Sequence, residues 1–515
     1  MAGADKRVVG AVVLASAAGT FALAMFSFVF PEISREFDLT VDQVNFALKV
    51  PIVGSLVVVF LAGSLSDRLG RRRVATAGGL CFCAGSVIAA AAPGVEVLLA
   101  GRLLEGLGAS TLLIGAVAVT RSAFEDEKAR AVVYGILTAT IPGVFVVAPT
   151  IGALLATQAS WRLVPAFLLM VGILATLVVW RYFPQEERSS GRKAELLTPT
   201  LAGVVLTAVA GAAAAFSSSP RVALVLLGLA LVVGASLATR LRGSASSGLD
   251  LSPLRLPGFP PALLAAAMPV AVSFFFFTSL LIEYHYDYGI VSAAAVMAPA
   301  SLLSVMAGYG AGRLMARRGA ILAGVAGLSL AAVAGLAAWL VGEGAPVWGP
   351  LLIVCAYACG DTMAIAALTA NVLNRVSGDK AGAGASLRKA ATGIAATVGA
   401  VAVTFAVFAA YERELSRSIN TTVVSEQDAR RVAAEVRNGE GSELLAEGLA
   451  VKYPEIRPEL YKREPALEEA EIKAYRAAGT IAFLAYAATA CLLLYSRRRE
   501  SRARGAGGAA EVSAR

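Results

Sequence analysis

The feature that most constrains this chain is a series of apolar runs, each about twenty residues long, that recurs along its whole length. A helix of about twenty residues crosses the ~30 Å hydrocarbon core of a bilayer. Hydrophobic residues make up 57% of the 515 residues and charged residues 16%, which is more apolar surface than soluble cores bury. Because helices satisfy their own backbone hydrogen bonds in lipid, we predict an all-α polytopic membrane protein.

The runs predict fourteen transmembrane helices, arranged as two six-helix bundles with two extra central helices. The first six spans cover about 8–30, 44–62, 74–93, 96–119, 132–156 and 161–183. The extra pair covers about 197–216 and 221–239. The last six spans cover about 259–282, 290–311, 319–342, 346–370, 386–410 and 475–496.

These spans divide the chain into six predicted segments. They are an N-terminal six-helix bundle (1–184), the extra helix pair with a linker (185–257), the first five helices of a C-terminal bundle (258–410), an extracytoplasmic loop (411–474), the last transmembrane helix (475–496) and a basic tail (497–515). Helical patterning recurs within the loop at 425–437 and 466–476. We interpret the loop as a solvated cap; a ligand-binding module is the alternative.

The positive charges predict the orientation. On one side of the membrane, the turns carry the clusters at 68–73 and 313–318 together with Arg388 and Lys389. The short turns on the other side carry Arg35 and Arg221, with Arg162 at a boundary. Cytoplasmic loops are enriched in Lys and Arg, so we predict a plasma-membrane protein with both termini in the cytoplasm. The net charge of +9 is spread over these turns, which does not indicate nucleic-acid binding.

A turn rich in glycine and arginine separates the second and third spans. Its residues are Gly63, Leu65, Asp67, Arg68, Gly70, Arg71 and Arg72. A weaker copy runs from Gly312 to Gly319, with Ala316 in the place of Asp67. A turn repeated in two halves is typical of a transporter that arose by duplication. We expect Asp67 to begin the third span and to face the positive end of that helix.

These residues give the chain its resemblance to the major facilitator superfamily, specifically to the fourteen-span drug:proton antiporter branch. The stretch from Gly63 to Arg72 matches the signature loop of that superfamily. Arg102-Leu-Leu-Glu105-Gly106-Leu-Gly108 is similar to the fourth-span motif Arg-x-x-Gln-Gly-x-Gly, and Ala148-Pro149-Thr-Ile-Gly152-Ala153 to the fifth-span motif Gly-Pro-x-x-Gly-Gly. The resemblance implies a proton-coupled exporter of hydrophobic or amphiphilic small molecules, such as drugs, antibiotics or metabolites.

The same resemblance implies roles for several residues. The turn would latch the two bundles together on the cytoplasmic side and open in each cycle. Arg102 would help to move the proton. The fifth span contains Gly143, Pro149 and Gly152, and such residues allow a helix to bend and to approach its neighbours closely.

Charged residues inside the spans are the candidates for proton coupling. Arg102 lies three residues before Glu105, on nearly the same helix face, and we expect an ion pair. Where the branch has an aspartate in span one, this chain has Ala22, whereas Asp361 and Glu283 stand where the branch has glycine and glutamine. We predict Asp361 as the first coupling site and Glu283 as the second; a structural ion pair is the alternative for each.

The substrate cavity is predicted from the remaining residues in or near the spans. Glu32 and Lys49 are the charged candidates, with Lys49 expected to pair with Glu32 or Asp361. Phe276, Phe277 and Met306 are the apolar candidates; lipid-facing or core packing is the alternative for them.

Several function classes lack support in the sequence. There is no Walker motif, nucleophile elbow or metal-ligand cluster, so we expect neither an enzyme nor a cofactor or metal. The expected partners are a small-molecule substrate, protons and the lipid bilayer, with the protein a monomer. Two alternatives stay open: a transporter of the same fold for a specific solute or lipid, either anionic or zwitterionic or working by uptake, and a membrane scaffold or sensor without transport.

Overall fold

The computed structural model is helical throughout the part of the chain that it describes, which is residues 3–37, 41–158, 160–185, 196–215, 220–243, 249–272, 274–342, 344–419 and 464–513. The first half contains α1 (Gly3–Glu36), α2 (Val41–Val57), α3 (Val59–Leu69), α4 (Arg71–Ala90), α5 (Val95–Ala123), α6 (Glu127–Gln158) and α7 (Leu163–Tyr182). The central pair is α8 (Leu197–Ala215) and α9 (Pro220–Gly243). The second half contains α10 (Phe259–Ala267), α11 (Phe274–Tyr284), α12 (Ile290–Arg318), α13 (Ala320–Ala337), α14 (Trp348–Leu373), α15 (Ala381–Ile394), α16 (Ala400–Ile419) and α17 (Glu464–Ser513).

The described helices include 12 that are long and apolar enough to cross a membrane, or 13 if α2 and α3 form one bent span. A bend of 43° separates α2 from α3. The first helix of the central pair is apolar over Leu197–Ala213 but is shorter than the others. The chain is therefore a multi-pass helical membrane protein, and the predicted number of fourteen exceeds the 12 to 13 that length and composition support.

Three predicted spans are interrupted in the structure. The second is split at Val58 into α2 and α3. The span predicted at 259–282 is split into α10, a 3₁₀ turn over Pro269–Ala271, and α11, because Pro269 lacks the N–H that would continue the first helix. The span predicted at 386–410 begins earlier, at Ala381, and contains a π-helical stretch over Ala395–Gly399. Such π stretches often occur at functional sites.

The predicted loop at 411–474 is helical at both of its edges. Helix α16 continues to Ile419, and α17 begins at Glu464, which confirms the predicted helix at 466–476. The other predicted loop helix, at 425–437, lies outside the described residues. The predicted basic tail from 497 is a continuation of α17 as far as Ser513.

Two large apolar cores are built mostly from alanine with a few large side chains; one is centred in the first half and extends onto helices of the second, and the other lies in the second half. Phe26, Phe82 and Leu98 lie in the core of the first half. Phe259, Phe274 and Tyr486 lie in that of the second. Small residues allow helices to pack closely in a membrane, where apolar burial does not itself drive association.

The two halves meet most closely on the membrane side that carries the arginine-rich turns, here called the basic side. Helix α3 packs on α15, and α6 packs on α12. A Cβ atom at Gly135 in α6 would lie 2.6 Å from the Gly308 oxygen and 2.6 Å from the Gly312 Cα. The chain can adopt this approach because these three positions carry no side chain.

Candidate functional site

The carboxylate of Asp67 joins the first half to the second. Its Oδ1 and Oδ2 accept hydrogen bonds from the backbone N–H groups of Gly382 and Ala383, each at 2.8 Å. Those amides are in the first turn of α15, where the helix dipole favours a negative charge. The prediction that Asp67 begins the third span was wrong: it lies in the last turn of α3 and caps a helix of the other half.

Three arginines of the first half bind the turn that follows α14, residues 374–380, here called the α14–α15 turn. Arg71 donates to the Gly378 oxygen and lies 3.5 Å from Asp67 Oδ1. Arg121 Nε donates to the oxygens of Leu373 (3.1 Å) and Val376 (2.9 Å). Arg130 Nε donates to Asn374 Oδ1 at 3.1 Å. Cations at the carbonyl end of a helix are favoured by its dipole.

Sequence reasoning missed Arg121 and Arg130 as bridging residues. Arg121 is in the last turn of α5, and Arg130 is in the first turn of α6. Together with Asp67 and Arg71 they form what we call the basic-side latch. Their spacing from Asp67 in sequence gave no sign that they bind the same turn of the other half.

The remaining residues of the signature turn fix its backbone conformation and its packing against neighbouring helices. Gly70 joins α3 to α4 with φ of 91°, a conformation that favours glycine. Gly63 faces α15, where a Cβ atom would lie 2.6 Å from the Gly382 oxygen. Arg72 lies over the Trp180 ring at 5.4 Å, and Leu65 and Arg68 are half-buried.

Arg102 and Glu105 form an ion pair in the interior of α5, as predicted. Arg102 Nη1 lies 2.5 Å from Glu105 Oε2, and the two side chains are 1% and 0% exposed. Ser86 donates to Glu105 Oε1 at 2.8 Å. The other Arg102 nitrogen, Nη2, donates to the Ala22 oxygen at 3.1 Å. Arg102 thus reaches the position in α1 where the resembling branch has an aspartate, and Glu105 supplies the carboxylate from its own helix.

Asp361 lies within the second half, in a chain of hydrogen bonds with two tyrosines. Tyr486 donates its hydroxyl hydrogen to Asp361 Oδ1 at 2.5 Å. The single hydroxyl hydrogen of Tyr357 has two acceptors to choose from, each at 3.0 Å: the Tyr486 hydroxyl oxygen and the Val272 carbonyl oxygen. The two tyrosines are buried, whereas Asp361 is half-buried. The structure therefore places two tyrosine hydroxyls beside the predicted coupling residue, which sequence reasoning did not foresee.

The other charged candidates are not gathered around Asp361. Glu283 is half-buried near the end of α11 and accepts a hydrogen bond from Ser279 at 3.1 Å. Glu32 is half-buried on α1. The side chain of Lys49 lies outside the described residues, so its pairing with Glu32 or Asp361 stays a prediction.

The predicted apolar cavity residues differ in exposure. Phe276 is 48% exposed and Met306 66% exposed, whereas Phe277 is buried and packs edge-to-face on Phe276. Phe274 is buried against Tyr357 and Tyr475.

The fifth-span motif falls within the continuous helix α6. A Cβ atom at Gly143 would be in ordinary contact with Val305 at 3.6 Å, and one at Gly152 would crowd Met25 in α1 at 3.2 Å. The side chain of Pro149 lies outside the described residues. The closest approach in α6 is instead at Gly135, outside the motif.

On the side opposite the latch, Glu36 joins α1 to α7 within the first half. The Trp161 indole N–H donates to its carboxylate, and Arg162 Nη1 lies 2.7 Å from Oε1. The Trp161 hydrogen bond and the Arg162 charge lower the pKa of Glu36 below its usual value. We call these three residues the outer clamp.

Among the described residues, no group of three His, Cys, Asp or Glu side chains could hold a metal ion. The five cysteines are free thiols.

Comparison with known proteins relates this fold to transporters. The chain is 34% identical over 160 residues to the chloramphenicol resistance protein of Pseudomonas aeruginosa, covering 30% of this chain and 38% of that protein. It is 27% identical over 428 residues to the multidrug resistance protein Stp of Mycobacterium tuberculosis, covering 79% and 76%. The human organic anion transporter MFSD10 has the same fold, with a TM-score of 0.62 at 15% identity over 95% of this chain and 99% of that one.

A family model adds the decisive match. The model described as Major Facilitator Superfamily aligns with residues 12–400, a range that runs from α1 to the start of α16 and includes the basic-side latch, the Arg102–Glu105 pair and Asp361. This family consists of transporters rather than enzymes. The chain is therefore a member of the Major Facilitator Superfamily.

Proposed function

We propose that this protein is a proton-coupled antiporter that exports hydrophobic or amphiphilic small molecules across the plasma membrane by alternating access. Both termini would lie in the cytoplasm, so the basic side is the cytoplasmic side. The observation that carries the proposal is the pair of hydrogen bonds from the α15 amides to Asp67. They join the halves at one face of the membrane, where a transporter must alternately close and open.

The chemistry of the basic-side latch suits repeated opening. Its contacts are hydrogen bonds between charged side chains and helix-end backbone groups. When the halves separate, water can take over each of these bonds, so opening leaves no polar group unsatisfied. In a packed apolar interface, by contrast, water cannot replace the contacts that are lost on opening.

We assign proton coupling to two carboxylates inside the helix bundles, Glu105 and Asp361. Glu105 is fully enclosed with Arg102, and protonation would release Arg102 to its contacts with α1. Asp361 accepts from the Tyr486 hydroxyl and is half-buried, which gives a proton a path to it. A change of charge at either site would alter the relative stability of the two states of the transporter. Glu283 stays a prediction as a further coupling site.

The cargo class is supported by the relatives. Two of them are named for resistance to chloramphenicol and to multiple drugs, although the first aligns over 38% of its own length. Exposed apolar side chains at Phe276 and Met306 are compatible with such cargo.

The test is flux in proteoliposomes under an imposed pH gradient, using a panel of lipophilic cations and anions. We expect gradient-driven flux in the native protein and a loss of about tenfold or more in Asp361→Asn, because the uncharged amide cannot exchange a proton. Glu36→Gln is the matched control, since it makes the same change in a carboxylate of the outer clamp. Flux that ignores the gradient, or an Asp361→Asn protein with native coupling, would contradict the proposal.

A further inference from the structure

Two adjacent cations, Arg388 and Lys389, lie inside α15. They are seven and eight residues past its first residue, Ala381, or about 10 Å into the helix from its basic-side end. Their prediction as turn charges was therefore wrong. A cation at membrane depth is normally paired with a carboxylate or with backbone oxygens, as Arg102 is.

Neither side chain has such a partner among the described residues. No hydrogen bond or ion pair of the Arg388 guanidinium or the Lys389 ammonium occurs in that part of the chain, and Arg388 Nε is a buried donor without an acceptor. Both side chains are half-buried, on a helix that packs against α3, α5 and α10.

The other half contributes a third donor. Tyr134 in α6 is 0% exposed, and its hydroxyl has no hydrogen-bond partner among the described residues. Arg388 acts on it electrostatically across the junction between the halves, as do Arg121 and Arg130. The latter two already bind the α14–α15 turn and its neighbouring carbonyls. Among the described residues, the junction thus contains two buried donors without an acceptor, on Arg388 and Tyr134, and a second positive charge on Lys389 beside Arg388.

An anion is the species that would satisfy this cluster. Each unsatisfied buried donor destabilises the protein, and two like charges side by side add to that effect. A sulfonate, carboxylate or phosphate carries the negative charge that the two cations lack and several oxygens that accept hydrogen bonds.

The surface beyond the cluster is apolar. Ile141 and Phe145 are seven and eleven residues past Tyr134, so they lie on the same face of α6, further from the basic side. They are 47% and 45% exposed. Because Tyr134 faces the junction, this exposed apolar strip faces it as well.

We infer that Arg388, Lys389 and Tyr134 bind the anionic headgroup of an amphiphilic substrate, whose apolar body lies along Ile141 and Phe145. The inference rests on the proposed transport function and gives its substrate class: lipophilic organic anions.

The test compares two probes with the same apolar body and opposite charge, naphthalene-1-sulfonate and N,N,N-trimethyl-1-naphthylammonium. Binding to the full chain is measured by scintillation proximity in phosphatidylcholine nanodiscs. We expect the sulfonate to bind about tenfold or more tightly than the ammonium compound. Equal affinities, or preference for the cation, would overturn the inference.

The variants test the residues. Arg388→Gln/Lys389→Gln should weaken sulfonate binding about tenfold or more, and Tyr134→Phe about threefold, because it removes one neutral donor. Arg255→Gln, which removes an exposed positive charge outside the cluster, should bind as the native protein does. The single variants Arg388→Gln and Lys389→Gln are measured separately in case the double variant does not fold. The inference would be overturned if Tyr134→Phe and one of these single variants each bind the sulfonate with native affinity.

Two further arms separate the possible explanations. If added phosphatidylglycerol displaces the sulfonate, the headgroup site is supported with a lipid as its occupant; if it does not, a free organic anion is the occupant. Because binding is measured without a gradient, selective binding in a protein that shows no gradient-driven flux would contradict the proposed function while supporting this site. Flux of lipophilic cations driven by the pH gradient, in a protein that does not bind the sulfonate, would support the proposed function and contradict this site.

Discussion

The two glycine- and arginine-rich turns have the same backbone but bind the opposite half differently. Gly70 and Gly319 both have positive φ, 91° and 85°. Gly63 faces α15 of the second half, and Gly312 faces α6 of the first. The first turn has Asp67, which caps α15 from the other half. The second has Ala316 at that position.

The start of α6 explains why the second turn needs no carboxylate. Asp126, the residue just before α6, accepts from the N–H groups of Lys128 (3.3 Å) and Ala129 (3.0 Å). Helix α6 is therefore capped from its own chain, whereas the cap of α15 comes from the other half. We expect a cap that joins the two halves, as at α15, to affect transport, and a cap within one half, as at α6, to affect stability alone.

The largest effect is expected from Asp67→Asn. The substitution removes the charge and replaces one acceptor oxygen by a donor that faces an N–H group. Hydrogen bonds to charged groups contribute about 1.5–3 kcal/mol each, and about 1.4 kcal/mol changes an equilibrium tenfold. We expect flux to fall about tenfold or more. Labelling of a Ser386→Cys reporter by impermeant maleimide from the basic side should rise, since Ser386 is buried against Gly63 in the closed state.

Asp126→Asn is the control for that experiment, because it makes the same chemical change in a cap within one half. We expect a loss of about 1 kcal/mol or less in stability, with flux within about twofold of native and unchanged labelling. If both aspartate variants lower flux equally, the distinction between the two turns does not hold.

An intermediate effect is expected from Gly382→Ala. A Cβ atom there would lie 2.5 Å from the Gly63 oxygen and 2.7 Å from Asp67 Oδ1, so the halves must separate to accommodate it. We expect flux to fall several-fold and maleimide labelling of the reporter to rise. Gly310→Ala is the matched control, since nothing lies within 4 Å of its added Cβ. Native flux in Gly382→Ala would show that the close approach of α3 and α15 is not required.

The smallest effect on flux is expected from Glu36→Gln in the outer clamp, because the clamp joins two helices of one half. The pKa of Glu36 is lowered in the folded protein. Its stabilising effect is therefore complete above the ordinary value near 4.5 and is lost as the pH falls through the lowered value. We expect the variant to unfold at a lower temperature than the native protein at pH 7, with the two converging at more acidic pH, as measured by thermal scanning.

The same clamp variant should transport at the native rate at pH 7. A large loss of flux would mean that the outer clamp changes during the cycle. It would contradict the expectation that a polar contact within one half affects stability alone.

Much of this molecule was predictable from local patterns. The apolar runs predicted most of the membrane helices, because a helix in lipid must be long and mostly apolar whatever its neighbours are. The Arg102–Glu105 pair was predictable because three residues bring two side chains to one face of a helix. Asp67 was recognisable as unusual, but not its partner, because the amides of Gly382 and Ala383 are 315 and 316 residues away in sequence.

The sequence by itself determined the class of protein, the positions of most spans and the repeated turn, since each depends on residues close together in the chain. The tertiary structure decided which charges are paired. Arg121 and Arg130 have partners on the other half, and Asp361 accepts a hydrogen bond from Tyr486 of α17. Arg388 and Lys389 are left in the junction without a described partner. Pairing at membrane depth depends on which helices pack together, and equivalent alanine- and glycine-rich surfaces along this chain do not specify that choice locally.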